Sequence, residues 1–325
     1  METAGGLPTA PGPPVERDWP RMDTPNVLWF FGAFAMAFAT LAVIDKVPES
    51  SRDVWELLVA VGFYLAYAVI GLIVLRRGWW IPGGLLFAVA VAVMPAIVYG
   101  ITSLIGTFPK DPFADPFREA SWSVILIGLV TMLDALVSFA LTRFSFLFFE
   151  LVLATLITAQ FFLPVFGDGP SADAHVAIAI VVGGALVIVG LLLDIRGRRR
   201  DAFWFHAGGL FGVATALVYW ASGLAGDADH GWLSMFVAAT LVLILAALVR
   251  RATWAMYGVF GFYAPLVHWL TNNVTASSAW YAVVLLAIGV GIFALGVAVH
   301  RFGRVSERRG YFGAPAPEDE TVTSA

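Results

Sequence analysis

The chain has 325 residues, of which 60% are hydrophobic and 13% are charged, and its mean hydropathy is +0.84. Soluble domains usually carry about 25% charged residues, so a chain this apolar would expose large hydrophobic patches in water. The absence of cysteine excludes disulfides and thiolate chemistry, and the net charge of −4 is too small to indicate a nucleic-acid partner. We therefore predict an all-α integral membrane protein whose main partner is the lipid bilayer.

Ten apolar segments are long enough to cross a bilayer, which takes about 20 residues in a helix. In chain order they cover residues 27–45, 54–75, 79–106, 121–142, 144–165, 174–195, 202–223, 232–250, 252–270 and 277–300. Their apolar runs are continuous rather than alternating, which favours helices over the strands of a barrel. Residues 1–26 and 302–325 are rich in proline, glycine and charge, so we expect disordered tails on both sides of a transmembrane domain over 27–301.

Two kinds of loop alternate between these segments. The short loops contain arginine: Arg76 and Arg77, Arg143, Arg196 to Arg200, Arg250 and Arg251, and the run from Arg301 to Arg309. The longer loops are acidic and cover residues 45–53, 108–119, 167–175 and 226–230. Because basic loops stay in the cytoplasm, both termini are predicted to be cytoplasmic. Arginine far outnumbers lysine, as in proteins from GC-rich bacterial genomes, so the expected location is a bacterial plasma membrane.

Tryptophan residues are predicted to mark both membrane interfaces, because indole rings favour the headgroup layer. The predicted inner belt contains Trp29, Trp79, Trp80, Trp204 and Trp254, and the outer belt contains Trp55, Trp122, Trp220, Trp232, Trp269 and Trp280. Three inner tryptophans also have a glycine four residues later, in the pairs Trp80/Gly84, Trp204/Gly208 and Trp254/Gly258. This recurrence after basic turns predicts tandem αα-hairpins in which small residues allow close helix packing.

The topology of ten spans with both ends inside resembles that of the drug/metabolite exporter superfamily, which consists of two inverted five-helix halves. A division at about residue 166 gives halves of opposite orientation, as an inverted repeat requires. The resemblance lies in topology alone. No sequence motif of that superfamily matches, and Pro95 and Pro265 fall in the third and the fourth span of their halves. No residue role is therefore carried over, and the tryptophan–glycine pattern predicts a repeat of two helices rather than five.

Two carboxylates are predicted inside the membrane in the stretch TMLDALVSFALTRFSFLFFE, residues 131–150. Asp134 comes nine residues before Arg143 and Glu150 comes seven residues after it. At 1.5 Å per residue, the carboxylates lie roughly 13 and 10 Å from the turn on adjacent antiparallel helices. Ionisable groups at such depth face the protein interior or a wet cavity, where two neighbouring acids can share one proton. One interpretation is a proton- or cation-coupled site open to the cytoplasm. The other is structural, with Glu150 paired to Arg143 and Asp134 hydrogen-bonded to a neighbour.

Four further residues are weaker candidates for the same site. Asp194 and His206 flank the basic turn at 198–200, where an ordinary structural pair is the main alternative. Tyr99 and His268 follow Pro95 and Pro265, whose rings free a backbone carbonyl that can line a cavity or simply kink the helix. The outer loops also place Asp173 near His175 and Asp227 near His230, but solvated charge explains these pairs better than a metal does. We expect no metal and no cofactor.

The sequence contains no P-loop, HExxH or GxSxG motif, so an enzyme is not expected. Two classes of function remain. The first class is a transporter or permease for a small, mostly apolar or organic-ion solute, with proton or cation coupling through Asp134 and Glu150. The alternative is a non-transporting scaffold, sensor or subunit of a membrane complex. A transporter predicts a cavity lined by Asp134, Glu150, Tyr99 or His268, whereas a scaffold predicts a filled interior and an exposed face of small residues.

Overall fold

A computed structural model describes residues 24–46, 52–107, 122–166, 169–249 and 251–273, with scattered positions between 280 and 291. This part of the chain forms nine long helices and one short 3₁₀ helix, and it contains no strand. The long helices are α1 (Thr24–Asp45), α2 (Arg52–Arg76), α3 (Trp80–Leu104), α4 (Trp122–Thr142), α5 (Leu147–Phe162), α6 (Ala172–Ile195), α7 (Arg199–Ala221), α8 (Ala228–Val249) and α9 (Ala252–Asn273). The 3₁₀ helix covers Leu163–Phe166 and extends α5.

Eight of the nine helices in the described ranges, all except α9, are long and apolar enough to cross a membrane. Helix α9 has a comparable length and contains tryptophan, tyrosine, histidine and asparagine residues. The predicted all-α polytopic fold is confirmed, and the helix ends agree with the predicted spans to within a few residues. The tenth predicted span, 277–300, lies largely outside the described residues, as do 1–23 and 302–325, so the tenth span and the tails stay predictions.

The most extensive helix–helix contacts join α2 to α3, α4 to α5, α6 to α7 and α8 to α9. These are the pairs connected by the short basic turns, as the hairpin prediction requires. Helix α3 also packs against α1 and α4, and α7 packs against α5, α8 and α9. The hairpins therefore form one continuous bundle, in which α3, α5 and α7 connect neighbouring pairs.

Glycine residues set the closest approach between α6 and α7. A Cβ atom placed on Gly209 would lie 2.6 Å from the carbonyl oxygen of Gly183, and one placed on Gly183 would lie 2.7 Å from the carbonyl oxygen of Gly209. The two backbones therefore touch at this crossing, where no side chain fits between them. In the tryptophan–glycine pairs, Gly84 faces the ring of Phe144, Gly208 faces Val152 and Gly258 faces Leu243.

The tryptophans of these pairs occupy three different environments. The side chain of Trp80 is half exposed, Trp204 packs against Phe146 and Phe149, and Trp254 is only 3% exposed. The Trp254 ring is therefore covered by neighbouring helices rather than exposed, and its position at the inner interface stays a prediction. Its ring lies edge-on against His206, with 5.5 Å between the ring centroids, because α9 packs against α7 at this level. Elsewhere the outer surface carries many exposed leucine, valine and phenylalanine side chains, as expected for a surface that faces lipid.

Candidate functional site

Asp134 of α4 lies in the interior of the bundle and is 9% exposed. Its Oδ1 accepts a hydrogen bond of 2.9 Å from the hydroxyl of Tyr64 on α2. Oδ2 is buried and has no hydrogen-bond partner. Asp134 is therefore held in place on one side only, and its second oxygen remains free to interact with a proton or another donor.

Glu150 lies in the first turn of α5 and interacts electrostatically with Asp134 across the α4–α5 hairpin. The two carboxylates thus lie on the adjacent antiparallel helices α4 and α5, and the sharing of a proton between them stays a prediction. Glu150 Oε2 is buried and has no hydrogen-bond partner, and Arg143 lies exposed at the turn without an ion pair to Glu150. The pairing of Glu150 with Arg143 that the sequence left open does not form.

A cavity of about 420 Å³ lies between α1, α3, α4 and α5, and Glu150 forms part of its wall. Most of the lining is apolar, and Thr131 of α4 and Thr158 of α5 supply hydroxyl groups. The volume lies within the range of about 300–1,000 Å³ that is usual for ligand sites. Pro95 of α3 also lines the cavity, whereas Asp134, Tyr99 and His268 do not.

The polar groups of the cavity are incompletely paired. Thr131 donates its hydroxyl hydrogen to the carbonyl oxygen of Ile127 at 2.7 Å, but the buried Thr158 hydroxyl oxygen has no partner. A buried polar group without a partner costs about 1–3 kcal/mol, so such groups need an explanation such as a ligand or ordered water. Glu150 and Thr158 therefore offer two unpaired positions on the α5 side of the cavity.

The second pair of candidates, Asp194 and His206, forms a separate cluster at the ends of α6 and α7. The imidazole Nε2 of His206 lies 2.9 Å from Asp194 Oδ2, and the histidine ring is completely buried. Arg251, just before α9, donates from Nε to Asp194 Oδ2 at 3.3 Å and pairs through Nη2 with Oδ1. The same guanidinium bonds the carbonyl oxygen of Arg199 at 3.0 Å. Asp194 of α6 thus binds both His206 of α7 and Arg251 beside α9. The cluster therefore holds these three helices together.

A hydrogen bond to Asp201 connects α7 to the α4–α5 turn. Asp201 accepts a hydrogen bond of 2.5 Å from the Ser145 hydroxyl and pairs with Arg198, with 2.6 Å between the charged atoms. Asp201 lies in the first turn of α7, where the helix dipole favours a negative charge. This connection fixes the turn that precedes Glu150 against α7.

The remaining candidates lie apart from the cavity. His268 of α9 stacks on Trp232 with 4.2 Å between ring centroids, and its Nε2 lies 3.0 Å from the amide nitrogen of Asn272. At the start of α8, the backbone N–H of Asp229 and the side chain of His230 lower the pKa of Asp227. No cluster of three histidine, aspartate or glutamate side chains suited to a metal occurs within the described ranges.

Sequence reasoning did not find Tyr64, Thr158 or Arg251 as parts of these sites. Tyr64 and Thr158 lie within apolar helices where tyrosine and threonine are ordinary residues, and Arg251 was interpreted only as a loop charge that sets topology. Tyr64 and Arg251 bind carboxylates that are distant in sequence, and Thr158 meets the cavity only in the folded bundle, so local patterns carried no signal. The fold and the cavity define a multi-span helical membrane protein with an acid-bearing intramembrane cavity. Comparison with protein-family models, curated proteins and solved structures finds no match for this chain.

Proposed function

We propose that this protein transports or binds a small, mostly apolar or organic-ion solute in the cavity between α1, α3, α4 and α5. The observation that carries this proposal is the buried, unpaired carboxylate oxygen of Glu150 in the wall of a cavity of about 420 Å³. An isolated charge in apolar surroundings is expensive, so Glu150 requires either a proton or a cationic partner at this position. Exchange between these two partners is the physical basis for coupling solute movement to protons, and the proposed location is a bacterial plasma membrane.

The neighbouring Asp134 supports this function. Its electrostatic interaction with Glu150 adds negative charge beside the cavity, which favours a positively charged group over an anion. No cationic side chain is paired with either carboxylate in the described part of the chain. In a scaffold, two buried acids without a cationic partner would only reduce stability, because neutral residues of similar size cost less free energy to bury.

Equilibrium binding of radiolabelled octyltrimethylammonium to the full chain in lipid nanodiscs tests the proposal. This probe has an apolar tail and a permanent positive charge, so any pH dependence of binding comes from the protein. We expect saturable binding that weakens at least tenfold in Glu150→Gln, while Asp227→Asn, an exposed acid, leaves it unchanged. Uptake of the same probe into proteoliposomes under a pH gradient then separates transport from binding. Absence of saturable binding to the unmodified protein would favour the scaffold or subunit alternative.

A further inference from the structure

The cavity that contains Glu150 opens toward the lipid-facing surface of the bundle. Among its lining residues, three on α1 and two on α5 have well-exposed apolar side chains: Phe34, Phe38, Leu41, Leu153 and Ile157. On the opposite side of the cavity, Leu85, Ala88 and Val91 of α3 are almost completely buried. The exposed residues therefore form a mouth between α1 and α5, and α3 forms the back wall.

Aromatic rings close the end of the cavity nearest the Arg143 turn. The ring of Phe146 lies 5.2 Å from that of Phe30, 5.4 Å from that of Phe149 and 5.0 Å from that of Trp204, measured between centroids. Phe146 itself is 7% exposed. These four residues join α1, α5 and α7 in one cluster, and they separate Glu150 from the water beyond the basic turn.

Contacts between α3, α4 and α5 hold the opposite end of this part of the bundle together. Ser123 at the start of α4 donates a hydrogen bond of 2.7 Å to the carbonyl oxygen of Thr107, just after α3. Trp122 lies edge-on against Phe162 of α5, with 6.4 Å between centroids. The mouth between α1 and α5 consists of hydrocarbon groups, which interact poorly with water.

We propose that the cavity is loaded from the lipid phase, by a membrane-dissolved amphiphile whose apolar body fills the mouth and whose polar end bonds Glu150. This inference rests on the proposed function and specifies its solute class. The apolar wall suits a hydrocarbon or aromatic body, and the unpaired oxygen of Glu150 accepts a hydrogen bond from a single polar end. A strongly hydrated solute would have to lose its water before it reached the site, which makes this class unfavourable.

Two carbodiimides that differ in the phase they occupy test the route on the full chain in nanodiscs. Dicyclohexylcarbodiimide dissolves in lipid, whereas a cationic, water-soluble carbodiimide reaches carboxyl groups from the aqueous phase. Both reagents add to a protonated carboxyl group and give an O-acylisourea, which rearranges in water-poor surroundings to a stable N-acylurea that peptide mass spectrometry locates. We expect the apolar reagent to modify Glu150 at least tenfold faster than the water-soluble one, and the adduct to vanish in Glu150→Gln.

Two variants with added bulk make the test specific for the mouth. Ala37→Phe narrows the cavity on α1 and should slow modification of Glu150 severalfold, whereas Val181→Phe on the exposed surface of α6 should leave the rate unchanged. Equal or faster reaction with the water-soluble reagent, or no reaction with the apolar one, would overturn lateral loading. Modification of Glu150 by the apolar reagent without binding of octyltrimethylammonium would support the route and count against the proposed function, so the two failures are distinguishable.

Discussion

Two hairpins of the bundle carry ionisable residues at comparable positions and compensate them differently. The α4–α5 hairpin places Asp134 before its turn and Glu150 after it, and the α6–α7 hairpin places Asp194 and His206 in the same way. Asp194 has both oxygens paired, with His206 and with Arg251. Asp134 and Glu150 each retain a buried oxygen without a partner.

The difference in pairing comes from the helices that pack beside each hairpin. Helix α9 packs against α7 and brings Arg251 to the end of the α6–α7 hairpin, whereas α1 and α3 bring only apolar side chains to the cavity beside α4 and α5. A compensated carboxylate stabilises the fold, and an uncompensated one retains the capacity to bind. Ionisable residues at similar spacing around the turn therefore form a stabilising cluster in the α6–α7 hairpin and a candidate binding site in the α4–α5 hairpin.

Removing the cation from the α6–α7 cluster should have the largest effect. Arg251→Met leaves Asp194 with His206 alone, and breaking a buried pair costs about 3–5 kcal/mol. Both side chains are nearly one-fifth exposed, so we expect about 2–4 kcal/mol, seen as a clear decrease in the apparent melting temperature in detergent. The matched control is Arg199→Ala, because only the backbone carbonyl of Arg199 bonds Arg251. An equal decrease in melting temperature in both variants would show that the loss of any arginine from the turn destabilises the protein, so the effect would not be specific to the Arg251–Asp194 ion pair.

The next largest loss of stability is expected where α6 and α7 approach each other closely. Gly209→Ala puts a methyl group 2.6 Å from the Gly183 carbonyl oxygen, so the two backbones must separate, at a cost of about 1–3 kcal/mol. Gly184→Ala is the control, since a Cβ atom there meets nothing within 4 Å. The melting temperature should decrease in the first variant and stay constant or increase in the second. A stable Gly209→Ala protein would mean that this hairpin relies on its ionic cluster alone.

The fold was largely predictable from the sequence, and the candidate site was predictable in part. Twenty-residue apolar runs and alternating basic loops determine helices and hairpins through local chemistry, which is why the helix ends agree. The positions of Asp134 and Glu150 on two adjacent helices followed from the sequence, and their depth in the membrane stays a prediction. Their environment did not follow, because the Tyr64 hydroxyl, the aromatic closure around Phe146 and the mouth between α1 and α5 depend on which helices become neighbours. Arg251 was missed for the same reason.

Neutralising an acid should lower the stability of the protein when the acid lies in the α6–α7 hairpin, but not when it lies in the α4–α5 hairpin. Asp194→Asn weakens the pairing with Arg251 and should destabilise the protein by about 1–2 kcal/mol. Glu150→Gln removes a carboxyl group whose buried oxygen has no protein partner, so the melting temperature should stay constant or increase, as at sites where function costs stability. Asp134→Asn should behave like Glu150→Gln, because its amide oxygen still accepts from Tyr64. A marked decrease in Glu150→Gln would assign this carboxylate a structural role.

The turns of the two hairpins differ in one backbone position, and this gives the smallest prediction. The α6–α7 turn contains Gly197 at φ 75°, whereas the α4–α5 turn places Arg143 at φ 57°, in a left-handed conformation that side chains disfavour. Arg143→Gly should therefore stabilise the protein by about 0.5–1 kcal/mol. Arg143→Ala removes the same charge but keeps a Cβ atom, so it should bring no increase in melting temperature. An equal increase in both variants would attribute the effect to the lost charge. The inverse change, Gly197→Ala, should destabilise the α6–α7 turn by about 1 kcal/mol, since it introduces there the strain that Arg143 already carries.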